Sequence, residues 1–574
     1  MKENTLLLKI KVATVLFLSI FIRISSYAQT ADNAVSINVN LNVDKGPLKP
    51  IWAFFGGDEP NYTYMKDGQK LLTEISKLSP VPVYLRIHNI LNTGDGSPSL
   101  KWGSSNAYTE DKNGNPVYSW TIIDKIFDTY KERGMKPLAE IGFMPKALSA
   151  NPEPYRHSGR PGDPEEIRKL PNGNGWAYPP KDYVKFAALI YEWVNHCVQR
   201  YGKAEVESWY WEVWNEPDGG FFRGTLEDYL KLYDYSADAV KRALPTAKVG
   251  GPHTTGPGGA RGAAFLRSFL DHVVIGKNYA TGATGSPIDF IAFHAKGATS
   301  MVNGVNQMDL GHQLRDINKG FEIVSSYPTL KHTPIILGES DPDGCAACLV
   351  SASPQNAYRL GTQYASYTAA AFARKYDLAE GWGVNLRGAV TWAFEFENQP
   401  WFAGFRDLAT NGVDEPVLNV FRMFGMMLGN RVGVSKGTAY NYLTIRDSSV
   451  RGKDPDINAL AAKDDKSVTV MVWNYYDINS VQPPSPVKIK ISGFTADQVK
   501  LSHYRIDKDF SNSYEVWKKM GSPQKPTPEQ YATLEKAGQL QMLDTPEMIK
   551  TTDGTVTLDF QLPRQSVSLL KFTW

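Results

Sequence analysis

Cysteine is scarce in this chain of 574 residues, which contains 3. Three thiols are too few for a disulfide scaffold or for a zinc site with four cysteine ligands. Cys345 and Cys348 form a C-x-x-C motif, and in an exported protein we expect a local disulfide between them. Cys197 lies in a segment of helical periodicity, where we expect a buried free thiol.

An excess of one charge is also lacking, because 62 Lys and Arg residues oppose 60 Asp and Glu residues. A net charge of +2 provides no electrostatic footprint for nucleic acid, so no nucleic-acid partner is expected. The 9 His residues include no H-E-x-x-H motif, and no glycine-rich loop ends in G-K-[ST]. We therefore expect neither a metal ion nor a cofactor.

The chain lacks an apolar run of about 20 residues, the length that a membrane-spanning helix needs. The shorter run VATVLFLSIFI follows three lysines and precedes the small residues Ser26 and Ala28. This order predicts a signal peptide over residues 1–28, cut after Ala28, and a secreted or periplasmic protein. The alternative is a membrane anchor, but Arg23 ends the run before it reaches the necessary length.

Short β-rich runs alternate with longer helical segments from about residue 51. The predicted strands are IWAFFGG, VYLRIHN, KPLAEIGF, SWYWEVWNEP, KVGGPHT, IDFIAFHAKG, PIILGES and GAVTWAFEF. The segments between them carry apolar residues three and four positions apart, as in KDYVKFAALIYEWVNHCVQRYG. This pattern predicts an α/β fold, a (β/α)8 TIM barrel over residues 51–430. An open doubly wound sheet is the alternative, but no G-x-G-x-x-G follows the first strand.

The pattern changes after about residue 430 to apolar residues at every second position. Runs such as KSVTVMVWNYY, PVKIKISGF and SVSLLKFTW predict a C-terminal β-sandwich domain over residues 431–574. The stretch AVSINVNLNV alternates in the same way before the barrel begins. We therefore expect residues 29–50 to supply an N-terminal strand that packs on the β-sandwich.

Glutamates end two of the predicted barrel strands, Glu216 in the fourth and Glu339 in the seventh. The C-terminal ends of barrel strands face the active site, so both carboxylates are expected at one rim. Two facing carboxylates suit glycoside hydrolysis, in which one protonates the leaving oxygen and the other attacks or activates water. The alternative, that each glutamate is a buried ion-pair partner, is weaker for two residues at matching strand ends.

The surroundings of the two glutamates suggest different roles. We expect Trp211 and Trp214 to wall Glu216, and apolar walls together with a facing carboxylate raise the pKa of a carboxyl group. Glu216 is then the general acid. Glu339, with neighbouring hydrogen-bond donors, is expected to stay ionised as the nucleophile.

These motifs resemble family 39 glycoside hydrolases, which include β-xylosidases and α-L-iduronidases. The similar pieces are YLRIHNIL, PLAEIGFMP, WYWEVWNEPD, IAFHAKG, ILGES, TWAFEFENQPWFAGFRDL and SNSYEVWKKMGSPQ. The resemblance implies a retaining mechanism through a covalent glycosyl-enzyme, with Glu216 as acid/base and Glu339 as nucleophile. It also implies that Asn215 hydrogen-bonds the sugar 2-hydroxyl.

The specificity stays open between two branches of this family. Ser340, Asp341 and Pro342 follow the nucleophile, and this Asp-Pro is closer to the iduronidase pattern, which makes Asp341 a candidate substrate-binding residue. FENQPWFAGF is xylosidase-like. The leading expectation is a secreted β-xylosidase-like enzyme that cleaves plant or algal polysaccharides or oligosaccharides.

Two alternatives remain beside the β-xylosidase. One is an enzyme for uronates or deoxysugars, either iduronidase-like or rhamnoside-cleaving, with a cationic pocket supplied by Arg86 or Lys296. The other, of a different class, is a non-catalytic carbohydrate-binding protein that retains the groove.

Further candidates for substrate binding lie at other strand ends. Arg86 and His88 end the second strand, and Arg86 could either hold Glu339 ionised or form a structural pair beneath the site. His294 ends the sixth strand, where it could bond the nucleophile or the sugar; a core histidine is the alternative. Trp392 and Trp401, near the eighth strand, could stack on sugar faces, although aromatic residues at a barrel end are more often core.

Overall fold

The structure is a computed structural model that describes residues 34–98, 103–154, 175–438 and 440–574. The predicted signal peptide, residues 1–28, lies outside the described residues. Across those described ranges, each helix is too short or too polar to cross a bilayer.

The strands are, in chain order, β1 (Val35–Pro47), β2 (Phe54–Gly57), β3 (Tyr84–Ile87), β4 (Tyr108–Glu110), β5 (Pro116–Tyr118), β6 (Lys136–Ile141), β7 (Tyr210–Val213), β8 (Lys248–Thr254), β9 (Phe290–Phe293), β10 (Ala298–Val302), β11 (Val305–Asp309), β12 (Ile335–Leu337), β13 (Leu386–Ala389), β14 (Thr391–Trp392), β15 (Ala409–Thr410), β16 (Val413–Asp414), β17 (Asn430–Lys436), β18 (Asp456–Lys463), β19 (Ser467–Tyr475), β20 (Ser485–Ser492), β21 (Gln498–Ile506), β22 (Gln541–Met542), β23 (Glu547–Lys550), β24 (Thr555–Leu562) and β25 (Ser566–Thr573).

The α-helices are α1 (Lys66–Leu78), α2 (Thr121–Lys131), α3 (Tyr183–Tyr201), α4 (Lys203–Val206), α5 (Leu226–Ala243), α6 (Ala260–Ile275), α7 (Leu310–Ser325), α8 (Thr362–Trp382), α9 (Pro416–Met426), α10 (Tyr442–Ser448), α11 (Ser513–Lys519) and α12 (Pro528–Gly538). Short 3-10 turns cover Pro60–Tyr64, Lys146–Leu148 and Pro354–Leu360.

Nine parallel strands form the sheet at the centre of the molecule, in the order β13-β12-β9-β8-β7-β6-β3-β2-β14. The two strands at the ends of this order, β13 and β14, are separated in the chain by Val390 alone. β13 pairs with β12 and β14 pairs with β2, so the sheet closes almost completely into a barrel. The eight predicted strands correspond to these nine segments, with the eighth divided at Val390.

The barrel strands are buried on both faces, which explains their continuous apolar runs. In β7 the ring of Tyr210 packs inside the barrel, 5.2 Å from the ring of Phe290. The next residue, Trp211, points outward and meets Trp193 of α3 edge-on at 5.0 Å. Successive side chains of a strand point to opposite faces, so Glu212 points inward again.

A separate sheet of ten strands has the order β22-β21-β25-β19-β18-β17-β1-β20-β24, with β23 paired to β21. The N-terminal strand β1 lies inside this sheet, antiparallel to β17 and parallel to β20. One apolar cluster includes Ile37 of β1, Ile489 of β20 and Phe572 of β25. The other face of the sheet packs on the barrel, because Trp473 and Leu569 belong to the main core.

A helical hairpin, α11 and α12, interrupts the sheet between β21 and β22. It packs against the barrel, where Lys70 of α1 lies 2.5 Å from Glu535 of α12. The Asn512 side chain caps the first of these helices, and Thr527 and Gln530 form a capping box at the second. The segment TPEQYATLEKAG comprises the N-cap Thr527 and α12.

Candidate active site

A pocket opens at the C-terminal ends of the barrel strands. The predicted residues His88, Asn215, Glu216, Glu339 and Trp392 line it. The remaining lining residues are Asp58, Asn89, Phe143, Phe221, Lys296, Gly344 and Ala346.

Glu216 and Glu339 face each other across this pocket. One carboxylate oxygen of each and a ring nitrogen of His294 all lie within 4.8 Å of one another. Carboxyl groups about 5–5.5 Å apart are typical of retaining glycosidases, whereas inverting enzymes hold them about 6.5–9.5 Å apart to admit water. The geometry therefore suits direct attack by one carboxylate on the sugar.

Lys296 supplies a positive charge between the two carboxylates. Its Nζ contacts Oε2 of Glu339 and lies 3.6 Å from Oε1 of Glu216. His294 Nδ1 lies 2.9 Å from the same Glu216 oxygen and 3.8 Å from Glu339, so it adjoins the acid more closely than the nucleophile. The two glutamates and His294 are close enough to share a cation, and the ammonium group of Lys296 already lies beside both carboxylates. The absence of a metal ion stays a prediction.

Three cationic side chains surround Glu339. Arg86 Nη1 donates to Oε1 at 3.1 Å, His88 Nε2 lies 3.3 Å from the same oxygen, and Lys296 contacts the other. Burial raises the pKa of Glu339, but these cations and His294 hold it well below the ordinary value for a glutamate. Glu339 is therefore ionised, as a nucleophile must be.

Arg86 is enclosed beneath the pocket and does not line it. Its Nε donates to Glu212 at 2.7 Å, and its Nη2 donates to Glu140 at 3.2 Å and to Asn215 Oδ1 at 3.0 Å. Arg86 thus has both of the roles that were predicted as alternatives. It holds Glu339 ionised, and it forms structural ion pairs with Glu212 and Glu140 beneath the site. Its enclosure means that the prediction of a substrate-binding Arg86 is wrong.

His88 joins Glu339 to a second buried carboxylate. Its Nδ1 lies 2.6 Å from Glu140, and its ring lies 4.3 Å from the ring of Trp392. Burial lowers the pKa of His88, but Glu140 outweighs burial and raises it to about 9. His88 therefore carries a positive charge at neutral pH.

The electrostatic environment of Glu216 differs from the prediction. The outward direction of Trp211 removes it from the site, while Trp214 packs edge-on against Phe143 at 5.1 Å. Burial raises the pKa of Glu216, but Lys296 and His294 outweigh burial and lower it to about 2. The expectation of a raised pKa is wrong, because charged side chains surround Glu216 where two indoles were expected.

The backbone around Glu216 adopts an uncommon conformation. Trp214 has φ +69° and Glu216 has φ +42°, in the left-handed region that non-glycine residues seldom occupy. The Glu216 N–H donates to the His253 carbonyl at 2.9 Å, and the Gly219 N–H donates to the Glu216 carbonyl at 2.8 Å. Such strain costs about 1–3 kcal/mol per residue and is concentrated at functional sites.

The profile of Glycosyl hydrolases family 39 matches residues 35–553. The chain belongs to family 39 of the glycosyl hydrolases. It is therefore a glycoside hydrolase. This membership, together with both carboxylates in one pocket, argues against the alternative of a non-catalytic carbohydrate-binding protein.

The characterised relatives of this family 39 enzyme include proteins with two different activities. The chain is 26% identical over 518 residues to a β-xylosidase from Caldicellulosiruptor saccharolyticus, covering 88% of this chain and 92% of the relative. It is 25% identical over 484 residues to an α-L-iduronidase from Mus musculus, covering 79% and 68%. Its fold is that of a monomeric β-xylosidase from Caulobacter crescentus CB15, with TM-score 0.72, 21% identity and coverage of 94% and 99%.

Besides Arg86, three predicted substrate-binding residues, His294, Asp341 and Trp401, do not line the pocket, which corrects their predicted placement. His294 is buried against Glu216. Asp341 is buried, where Oδ1 accepts from the Trp392 N–H at 2.9 Å and Oδ2 lies 3.6 Å from Arg406. Trp401 packs 6.1 Å from Tyr531 of α12 in a separate apolar cluster. The reason is that β14 ends at Trp392, and the following loop carries Trp401 to the helical hairpin.

Asp58 is a pocket residue that the sequence prediction missed. It follows β2 directly, so the strand-end rule that identified the two glutamates also applies to it. Its Oδ1 accepts a hydrogen bond from Trp392 Nε1 at 2.9 Å. Phe143 and Phe221 were missed as well, and the loop position of Phe221 provides no signal in the sequence.

The cysteines lie as follows. The Cα atoms of Cys345 and Cys348 are 5.6 Å apart, within the range of a disulfide, and their sulfur atoms are adjacent. The bond itself stays a prediction. Two residues of this short loop, Gly344 and Ala346, form part of the pocket wall. Cys197 is buried in α3.

Proposed function

We propose that this enzyme hydrolyses β-xylosides of plant or algal saccharides with retention, by double displacement. The observation that carries the proposal is the separation of 4.8 Å or less between the Glu216 and Glu339 oxygens. Glu339 attacks the anomeric carbon while Glu216 protonates the leaving oxygen. Glu216 then deprotonates a water that releases the sugar from Glu339. The β-xylosidase relative, 92% of which is covered, supports the choice of sugar.

Glu216 must take up the proton that it donates as the acid when the substrate binds. Lys296 and His294 lower the pKa of Glu216 and keep its carboxyl group ionised. A sugar that enters between Lys296 and Glu216 separates them and excludes water. Burial and the facing charge of Glu339 both raise the pKa of Glu216, so it takes up the proton that it later donates.

Asn215 is placed to bind the sugar 2-hydroxyl. Its Oδ1 already accepts from Arg86 at 3.0 Å, which leaves the amide NH₂ as the group that donates to the substrate. A hydrogen bond to this hydroxyl strengthens in the transition state.

Nucleophile rescue tests the roles of the two glutamates on an aryl β-xyloside. Glu339→Ala should lower kcat/KM at least about a thousandfold, because the covalent step is lost. Azide should restore turnover and give a glycosyl azide of inverted configuration. The matched variant Glu216→Ala should give a glycosyl azide of retained configuration. The opposite pair of configurations would exchange the roles, and an inverting wild type, judged by NMR, would refute double displacement.

A uronate-specific glycosidase is the second candidate, favoured by one observation. Lys296 lines the pocket with a side chain that is 20% exposed, so a uronate carboxylate could reach its ammonium group. Asp58 in the same pocket repels such a carboxylate, which favours the neutral xyloside. Parallel assays with aryl β-xyloside, aryl α-L-iduronide and aryl α-L-rhamnoside decide between the candidates. Faster turnover of the iduronide would replace the xylosidase proposal.

We also propose that the ten-stranded sheet is a β-sandwich and that the enzyme is secreted or periplasmic. The apolar cluster shared by β1, β20 and β25 supports the sandwich, and a crystal structure with β20 and β25 on one flat layer would contradict it.

The proposal that the enzyme is exported rests on the N-terminal sequence. Intact-mass analysis of protein recovered outside the inner membrane should show a chain that starts at Gln29. An intact N-terminus would contradict it.

A further inference from the structure

Lys296 lies in a short connection without regular secondary structure. Residues 294–297 join β9 to β10, and we name them the lysine segment. Residues 338–341, which follow β12 and contain Glu339, are the nucleophile segment. The two segments meet where the Lys296 ammonium group contacts Glu339. Because neither segment belongs to a helix or a strand, their relative position depends on tertiary contacts.

Two backbone hydrogen bonds join the segments on either side of Lys296. The Ala295 N–H donates to the Glu339 carbonyl at 2.9 Å, and the Gly297 N–H donates to the Asp341 carbonyl at 2.7 Å. The carbonyl group of Ala295 is not part of this pairing. It accepts from a side chain of α7 instead.

That side chain is Gln313, which binds both segments through one amide group. Its Nε2 donates to the Ala295 carbonyl at 3.0 Å. The same nitrogen donates to Ser340 Oγ and to the Asp341 carbonyl, each at 3.3 Å. Gln313 is fully buried, so water cannot replace these bonds when they are lost. Gln313 thus fixes the lysine segment against the nucleophile segment.

Tyr367 of α8 orients the Gln313 amide. The Tyr367 hydroxyl donates to Gln313 Oε1 at 3.0 Å, which leaves Nε2 to face the two segments. Gly297 permits this arrangement, because a Cβ atom at that position would lie 2.6 Å from the Tyr367 hydroxyl oxygen. Cβ atoms do not approach oxygen atoms so closely, so a larger residue would displace the backbone next to Lys296.

The position of Lys296 affects both catalytic carboxyl groups. Burial raises the pKa of Glu216 and of Glu339, and Lys296 has the largest effect among the charges that lower it. The other ionisable groups that act on these three residues are Arg86, His88, His294, Asp316, Asp341 and Arg406. Since the interaction between charges weakens with distance, a displaced ammonium group changes the ionisation of both glutamates at once.

We propose that Gln313 is a positioning residue for catalysis. Held by Tyr367, it keeps the Lys296 ammonium group between the two glutamates. Gln313 does not line the pocket, so it acts through Lys296 and does not touch the sugar. The inference rests on the proposed function, because the roles of Glu216 and Glu339 make the position of Lys296 important for catalysis.

Gln313→Met keeps the length of the side chain and removes its hydrogen bonds. On the aryl glycoside that the wild type hydrolyses fastest, kcat should fall about tenfold to a hundredfold, the cost of a displacement of about 1 Å in an active site. Gln363→Met is the matched control, because Gln363 is 1% exposed and its Nε2 donates to the Asp477 carbonyl at 3.0 Å, beyond the end of β19. Both variants should lose similar stability in urea denaturation, but Gln363→Met should keep kcat within about twofold. Equal losses of kcat would overturn the proposal.

The pH profile of kcat separates a positioning role from a structural one. A displaced ammonium group lowers the pKa of each glutamate less, so both limbs should move to higher pH in Gln313→Met, by less than in Lys296→Gln. The double variant should place the limbs where Lys296→Gln alone places them, because the ammonium group is already absent. A further shift in the double variant would overturn the proposal, as would an unchanged profile in Gln313→Met.

Tyr367→Phe is the milder variant, since it removes only the hydroxyl group that donates to Gln313. Its limbs should move in the same direction by a smaller amount. A crystal structure of Gln313→Met, or of Tyr367→Phe if the first variant does not fold, should show Lys296 Nζ displaced from Glu339. An unmoved Nζ would overturn the proposal whatever sugar the enzyme accepts. Exchanged roles in the azide experiment would refute the proposed function and leave this structural result intact.

Discussion

At the scale of single residues, one ammonium group controls two carboxyl groups. Lys296 contacts Glu339 and lies 3.6 Å from Glu216 Oε1, and it lowers the pKa of both after burial has raised them. Activity needs Glu339 ionised and Glu216 protonated. The acidic limb of the kcat profile therefore reports Glu339, and its basic limb reports Glu216, both in the enzyme–substrate complex.

Lys296→Gln should move the whole pH profile of kcat to higher pH. Without the ammonium group the pKa of Glu339 rises, so activity is lost earlier on acidification. The pKa of Glu216 also rises, so activity persists further into the basic range. We expect each limb to move by about one pH unit or more, the equivalent of about 1.4 kcal/mol. Lys500→Gln, which changes an exposed lysine on β21, serves as the control. A limb that moves to lower pH in Lys296→Gln would contradict this account.

At the scale of elements, the α11–α12 hairpin explains the position of Trp401. The Trp401 ring lies 6.2 Å from Phe402 and 6.1 Å from Tyr531, and its backbone N–H donates to Gln524 Oε1 at 2.9 Å. These contacts join a barrel loop to a helix of the C-terminal region. The side chain thus stabilises an interface and has no place in the pocket.

Trp401→Ala should therefore lower stability without changing catalysis. Truncation of a buried tryptophan costs about 3–5 kcal/mol of unfolding free energy, measured by urea denaturation. The kcat/KM for an aryl xyloside should stay within about twofold of wild type, because Trp401 does not contact the substrate. A twofold change is equivalent to about 0.4 kcal/mol of transition-state stabilisation. Trp392→Ala provides the contrast, because its ring lines the pocket, and KM should rise. A large catalytic loss with unchanged stability in Trp401→Ala would restore the stacking role.

At the scale of the whole molecule, the N-terminal strand joins the two ends of the described chain. β1 pairs with β17 on one side and β20 on the other, so it connects the two halves of the ten-stranded sheet. β17 follows the barrel directly. The stability of the sheet therefore depends on residues that precede the barrel in the chain.

Ile37→Ala should lower the free energy of unfolding by about 2–5 kcal/mol, because it removes fully buried methyl groups from the shared cluster. Val43→Ala in the same strand is the matched control. Val43 is 45% exposed, and its substitution should stay within about 0.5 kcal/mol. Similar losses for both variants, measured by urea denaturation, would mean that β1 does not pack as described.

Much of the site follows from local sequence. The eight barrel strands are predictable because short apolar runs alternate with helical periods, and Glu216 and Glu339 follow because strand ends share one rim. Asp58 was predictable in the same way, because it follows the end of β2 directly. Trp401 was not, since a residue nine positions beyond a strand end can be carried anywhere by a loop.

The sequence alone determined that Glu216 and Glu339 lie at the barrel rim, because the C-terminal ends of the strands share one rim. Tertiary structure decided the electrostatics. Trp211 precedes Glu216 by five residues yet points away from it, whereas Lys296, 80 residues later in the chain, lies beside Glu216. The pKa of a buried carboxyl depends on charges within a few ångströms, and only folding determines which charges those are.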